Sequence, residues 1–211
     1  MKTLGLIAQK GGTGKTTLTI HLAVEAAIAG LKVLILDIDP QASASAWWRR
    51  RGADQPDLIQ SDGEALEEVL QTAGQRGYDL TVIDTAPHSS RDARRCASLC
   101  DRVLIPTRPA ILDLDAIRPS VDLVTELGVP ARILLNGCPP PTAFGEPHIL
   151  SEAREALAVY GVPVCEAAVS QRVGFSYALI EGRGVTEYDP RGKAANEIVR
   201  LWSILRQELA L

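Results

Sequence analysis

The run Gln9-Lys10-Gly11-Gly12-Thr13-Gly14-Lys15-Thr16-Thr17 constrains this chain more than any other stretch. Residues 4–8 ahead of it are apolar and read as a buried strand, and residues 16–29 behind it are rich in Ala, Leu and Ile and read as a helix. A glycine loop between a strand end and a helix start has the shape of a phosphate cradle. Glycines let the backbone curl, its N–H groups turn inward, and the helix dipole favours an anion there. The usual spacing puts a first glycine six positions before the lysine. Here Gln9 holds that position and Lys10 follows it, so the pattern matches with one departure.

The rest of the chain supplies strands and helices in alternation. Residues 33–36 read as a second buried strand, ending in Asp37-Ile38-Asp39-Pro40-Gln41, which completes a first βαβ unit. A short helix is expected over 42–51, with Trp47 and Trp48 as packing or dimer-face residues, then a short strand at 58–59 and a helix over 64–73. Strand 80–84 ends in Asp84-Thr85-Ala86-Pro87; helix 91–100 and strand 103–106, stopped by Pro106, follow. Residues 113–127 read as one helix closed by Gly128, and 132–135 as a strand with Asn136 at its carboxyl end. Beyond a surface loop over 137–147 come helix 151–160, strand 162–165, and helices 173–181 and 192–209. This alternation predicts a single doubly wound α/β domain over 1–211, with a mostly parallel sheet and helices on both faces. Ligands in such folds sit beyond the carboxyl ends of the strands, which gathers the glycine loop, Asp37, Asp39, Asp84 and Asn136 at one site.

Composition narrows the class. An apolar content of 46% with 23% charged residues is ordinary for a soluble globular protein, and no run approaches eighteen consecutive apolar residues. The first expected strand begins almost at Met1, leaving no room for a signal peptide. Cys96, Cys100, Cys138 and Cys165 lack paired C-x-x-C spacing, which fits reduced thiols in a cytoplasmic protein. No nearby His or Cys completes a metal set around Cys96 and Cys100, and His21, His88 and His148 have no spaced partners. A net charge of −4 gives no support for a nucleic-acid partner, though it leaves room for a local basic patch.

Each site residue has a chemistry that fits its place. Lys15 suits the β- and γ-phosphates as a point charge, the Thr16 hydroxyl suits magnesium, and Thr17 suits an earlier phosphate. Asp84, at a strand end, is placed to hold magnesium (Mg2+) or to cap the following turn. Asp39 is placed to orient an attacking water or a magnesium water; Asp37, on the same side by strand alternation, either supports it or joins it. Lys10 either extends into solvent or crosses to a second molecule facing this one. There it would neutralise charge on a phosphoryl group in transfer.

The stretch Lys10-Gly11-Gly12-Thr13-Gly14-Lys15-Thr16-Thr17 resembles the deviant phosphate loop of the ParA/MinD ATPases, with Lys10 in the place of the signature lysine. Asp37-Ile38-Asp39-Pro40-Gln41 is similar to that family's switch I, and Asp84-Thr85-Ala86-Pro87 to its switch II. Pro106-Thr107-Arg108-Pro109 and the tail from Glu187-Tyr188-Asp189-Pro190 resemble the small, single-domain ParA branch. The resemblance implies an ATP-sandwich homodimer that hydrolyses ATP slowly, with Lys10 as the contact in trans, Asp39 as the hydrolytic aspartate and Asn136 toward the adenine. It also implies non-specific DNA binding in the ATP state, nucleoid association, a ParB-like or cargo-adaptor activator, and work in positioning plasmids, chromosome regions or protein organelles. The chain starts at its first strand, so autorepression by specific DNA binding, which the helix-turn-helix extension of larger partition proteins serves, is not expected. Its final helix lacks the basic cluster of MinD-like membrane anchors, so no membrane contact is expected. A MinD-like membrane-surface regulator and a metabolic ATP-dependent ligase sharing the loop are the rival readings. For DNA the candidates are Arg172, Arg183, Arg191, Lys193 and Arg200, interspersed with Glu181, Glu187, Asp189 and Glu197.

Overall fold

In the computed structural model, residues 1–87, 89–142 and 145–211 are described; His88 lies outside them. Seven strands, β1 (Lys2–Leu6), β2 (Val33–Asp37), β3 (Asp57–Gln60), β4 (Leu80–Asp84), β5 (Arg102–Thr107), β6 (Ala131–Cys138) and β7 (Val169–Ser170), form one sheet. Their order is β3-β2-β4-β1-β5-β6-β7, and every pairing between them is parallel. The helices are α1 (Lys15–Ile28), α2 (Ser43–Trp48), α3 (Leu66–Gln75), α4 (Ser90–Leu99), α5 (Ile111–Asp115), α6 (Arg118–Leu127), α7 (His148–Ala158), α8 (Val173–Ile180), α9 (Val185–Tyr188) and α10 (Lys193–Leu209).

Strand alternation splits the core into two layers. Leu4, Leu6, Val33, Ile35, Val82, Leu104 and Leu134 face α1, α2 and α8 to α10. Ile7, Leu36, Ile83, Val103, Ile105, Ile133 and Leu135 face α3 to α7. With both faces covered, the strands have no water-facing side, which is why they read as continuous apolar runs.

Helix α10 buries Ala194, Ala195, Ile198, Leu201, Trp202, Leu205 and Leu209, so its apolar stripe is spent on the core. Trp47 is also core, and its indole N–H donates to the Arg183 carbonyl at 3.3 Å. No helix among the described residues is long and apolar enough to cross a membrane.

Three expectations are corrected. Pro106 does not stop β5: it lies inside the strand, opposite Leu134. The Val103 N–H points to β6, where it meets the Pro130 carbonyl at 2.9 Å, so by alternation position 106 points to β1. There β1 has already ended, and the N–H that proline lacks has no acceptor in the ladder to miss. The single helix expected over 113–127 is two helices, α5 and α6, broken at Ala116 and Ile117. Pro119, in the first turn of α6, fits a helix start and would clash one turn back if α5 continued. The strand expected over 162–165 is only an isolated bridge from Val164 to Ile133, because Pro163 has no N–H to extend a ladder. The edge strand is β7 instead, and it pairs with β6 across an irregularity between Asn136 and Cys138.

Candidate nucleotide site

The glycine loop begins where β1 leaves the sheet. The Ile7 N–H still meets the Leu104 carbonyl at 3.1 Å, and the chain then turns over the ends of β1 and β4 into α1. Gly12 and Gly14 have φ of 75° and 93°, a region that strains any residue with a Cβ. Gly14 is further fixed by space, since a Cβ there would lie 2.2 Å from the Asn136 side-chain nitrogen. That nitrogen donates to the Thr13 carbonyl at 2.6 Å, so Asn136 braces the loop from β6. No local pattern in the sequence marks this brace.

Four charged side chains converge below the loop. Lys15 is buried and its Nζ donates to the Ala8 carbonyl at 3.0 Å. Burial lowers its pKa, while Asp84 and Asp39 act to raise it. The Thr16 hydroxyl donates to Asp84 Oδ2 at 2.6 Å. Burial pushes the Asp84 carboxyl up to about 7; the Thr16 bond and Lys15 pull it down, and Asp37 and Asp39 push it up. Asp84 Oδ1 is buried without a hydrogen-bond partner among the described residues. Leaving such an acceptor unmet costs on the order of 1–3 kcal/mol, and a cation beside it removes that cost. The Thr16 hydroxyl and the Asp84 carboxylate are hard oxygen donors side by side, the set that suits magnesium completed by phosphate and water oxygens. Among the described residues no cluster of three His, Cys, Asp or Glu side chains could hold a metal without such additional ligands.

Parallel register puts Asp37 beside Asp84 at neighbouring strand ends. Fully buried Asp37 accepts from the Ser45 N–H at 2.9 Å and the Ser45 hydroxyl at 2.8 Å through Oδ2, and from the Asp39 N–H at 3.2 Å through Oδ1. It therefore anchors α2 and shapes the turn that presents Asp39. Asp39 Oδ1 accepts from the Gln41 N–H at 2.9 Å, and its carbonyl accepts from the Ala42 N–H at 2.8 Å.

Lys10 parts company with Lys15. Its Nζ sits 3.0 Å from Asp113 Oδ1 on α5; the Lys10 side chain is 38% exposed and that of Asp113 only 12%. Thr107 holds the Asp113 end by donating to its carbonyl at 3.1 Å. Asp113 escaped the sequence reading because nothing in its neighbours marks a lysine acceptor.

The candidate DNA arginines divide into two groups. Arg172 donates from Nε and Nη2 to Glu197 Oε1 at 3.0 and 2.7 Å, and Arg183 bonds the Glu187 carbonyl and lies 3.5 Å from Glu181. Arg191, Lys193 and Arg200 make no ion pair among the described residues.

Comparison with known proteins identifies the family. The CobQ/CobB/MinD/ParA nucleotide binding domain matches residues 4–185. The chain is 35% identical to maintenance of carboxysome distribution protein A from Gloeobacter kilaueensis, covering 99% of this chain and 94% of that one. It is 32% identical to the protein of the same name from Halothiobacillus neapolitanus, over 93% and 92% of the two chains. The septum site-determining protein MinD from Pyrococcus horikoshii, solved with Mg-ADP, superposes with a TM-score of 0.80 at 20% identity, covering 97% of this chain and 95% of the other. The family model spans most of the chain and the 35% identity runs over nearly all of it, so the chain belongs to the CobQ/CobB/MinD/ParA nucleotide-binding family.

Proposed function

We propose that this protein is an ATP-driven dimerisation switch that positions intracellular cargo. The observation that carries the proposal is the divergent fate of two lysines on one loop. Lys15 is buried among the acids of its own site, while Lys10 waits at the rim. In this reading the loop N–H groups of Gly11 to Thr17 and Lys15 bind the β- and γ-phosphates, and Thr17 holds an earlier phosphate. Thr16 and Asp84 would hold magnesium, which neutralises charge on the β- and γ-oxygens when bound. Asp39 orients the water whose oxygen bonds to the γ-phosphorus as the bond to ADP breaks. Lys10 crosses to the ATP of a second copy, so two loops face one another across two nucleotides. The amide oxygen of Asn136, without a hydrogen bond among the described residues, is the group left for the adenine.

DNA is the proposed surface and a protein encoded for the same cargo the proposed activator. Two relatives that share nearly the full length carry carboxysome distribution in their names, which favours a protein organelle over a plasmid or chromosome. The test is mass by light scattering with ATP and with ADP, for wild type and Asp39→Ala. Doubling with ATP, persistent in the variant, is expected; a monomer in both nucleotides overturns the switch. With DNA, about three phosphates neutralised per subunit gives a log–log salt slope near −5 for the dimer. Equal DNA binding with ADP and ATP overturns the DNA part alone.

A further inference from the structure

The step from β5 to α5 carries a second cation that the site described so far does not use. Arg108 follows the last residue of β5, and its side chain runs across two glycines from different parts of the fold. A Cβ built on Gly137 would lie 3.7 Å from Arg108 Cγ and Nε, and one built on Gly12 would lie 3.8 Å from Nη2. The stem therefore passes beside the bend in β6, and the guanidinium lies beside the phosphate loop itself. Both glycines have left-handed backbones, with φ of 64° at Gly137 and 75° at Gly12, a conformation that strains any residue with a Cβ. Among the described residues the Arg108 guanidinium has no ion pair and no hydrogen bond. The contrast with other arginines is clear: Arg51 and Arg172 each meet a glutamate at 2.8 and 2.7 Å.

A guanidinium is charged at any working pH, and its planar fork of donors matches phosphate oxygens in pairs. Left unpaired beside a loop shaped for phosphates, it has the charge and the donor geometry that a phosphate group takes. We infer that Arg108 is a phosphate-contacting residue of the nucleotide site, binding the triphosphate held by its own loop or the one presented by a facing copy. This rests on the ATP reading given above. The same connection ends in Asp113, the partner of Lys10, so one short segment touches the loop with a cation at one end and with an anion at the other. Arg108 is thereby a third cation at the site, and the only one of the three that is not part of the glycine loop.

The experiment measures fluorescent ATP and AMP binding at low protein concentration, and ATP-driven dimerisation by light scattering, for wild type, Arg108→Ala and Arg108→Lys. If Arg108 serves its own loop, Arg108→Ala weakens ATP tenfold or more and AMP less than threefold. If it serves the facing copy, ATP binding by the monomer is unchanged and dimerisation weakens tenfold or more. In either case Arg108→Lys recovers part of the loss, because it restores the charge without the fork. An unchanged melting temperature without nucleotide separates these effects from misfolding. Wild type that binds ATP, with Arg108→Ala within twofold in both measurements, overturns the inference and leaves the ATP reading standing. Wild type that binds no ATP overturns both.

Discussion

The carboxyl ends of β1, β2 and β4 and the layer formed by α8, α9 and α10 both bury charge, and they treat it oppositely. In the helical layer the buried charges are matched. Arg51, almost fully buried, is gripped by both oxygens of Glu187 at 2.8 and 3.0 Å, and Glu197 gathers Arg172, the Ser170 hydroxyl and the Ser170 N–H. At the strand ends, among the described residues, Lys15 donates to a backbone carbonyl and forms no ion pair, and Asp84 keeps one oxygen unmet. Paired buried charge fits a scaffold. Charge held in reserve is what the proposed nucleotide site calls for.

The sharpest way to break this contrast is Lys15→Ala. If Lys15 is held for a phosphate, the variant loses about 100-fold or more in ATP affinity by calorimetry, the scale of removing one partner of a desolvated charge pair. A loss below about threefold would make the lysine part of the scaffold too.

Titrating the helical layer is the next test. His21 on α1 is fully buried, accepts the Val185 N–H through Nδ1 at 3.0 Å and packs on Phe175 with ring centres 5.1 Å apart. Burial drives its pKa to about 3, against the upward pull of Glu187. The unfolded chain takes up the proton near pH 6.5 and the folded one only near 3, so the stabilisation by neutral His21 is complete above about pH 6.5. It falls by roughly 1.4 kcal/mol per unit as the pH drops toward 3. His21→Phe should flatten that part of the stability profile in urea melts at pH 4 to 7, at a fixed cost of about 1–3 kcal/mol for the orphaned Val185 N–H. An unchanged slope would show that the proton is taken up elsewhere.

Arg172→Ala sharpens the contrast within the basic residues. Removing a partner from the Glu197 cluster should cost about 1–2 kcal/mol of stability, whereas Arg200→Ala should stay within about 0.5 kcal/mol. DNA affinity should fall more for Arg200→Ala than for Arg172→Ala. The opposite order would mean that Arg172 leaves Glu197 when DNA arrives.

The smallest effect is expected at the rim. The Lys10–Asp113 pair is partly open to water, so Asp113→Ala should alter stability by less than about 1 kcal/mol. Freed from its holder, Lys10 should favour the ATP-dependent dimer a few-fold. A weaker dimer would place Asp113 in the dimer contact instead of the resting state.

How much of this was legible in the sequence follows from how local each feature is. The glycine loop, Asp37-Ile38-Asp39 and Asp84 are contiguous motifs at the ends of apolar runs, and parallel-sheet logic alone brings them together. The two layers of helices followed from alternation. Asp37 was open between two roles until its bonds to Ser45 placed it under α2. Asn136 bracing Thr13 spans 123 positions, and Glu197 neutralising Arg172 spans 25, so neither leaves a local pattern. The Pro106 and Val162 errors share one cause: a proline's effect depends on whether a neighbour needs its N–H, and that neighbour is chosen by the fold.

Pro106 also sets the mouth of the site. To carry the β1–β5 ladder one rung past Leu6, position 106 would have to offer an N–H to the Ile7 carbonyl, and proline has none. The sheet cannot zip shut over its own cleft. Whatever rearrangement the loop undergoes around a phosphate, its retreat into a longer strand is barred by one missing hydrogen.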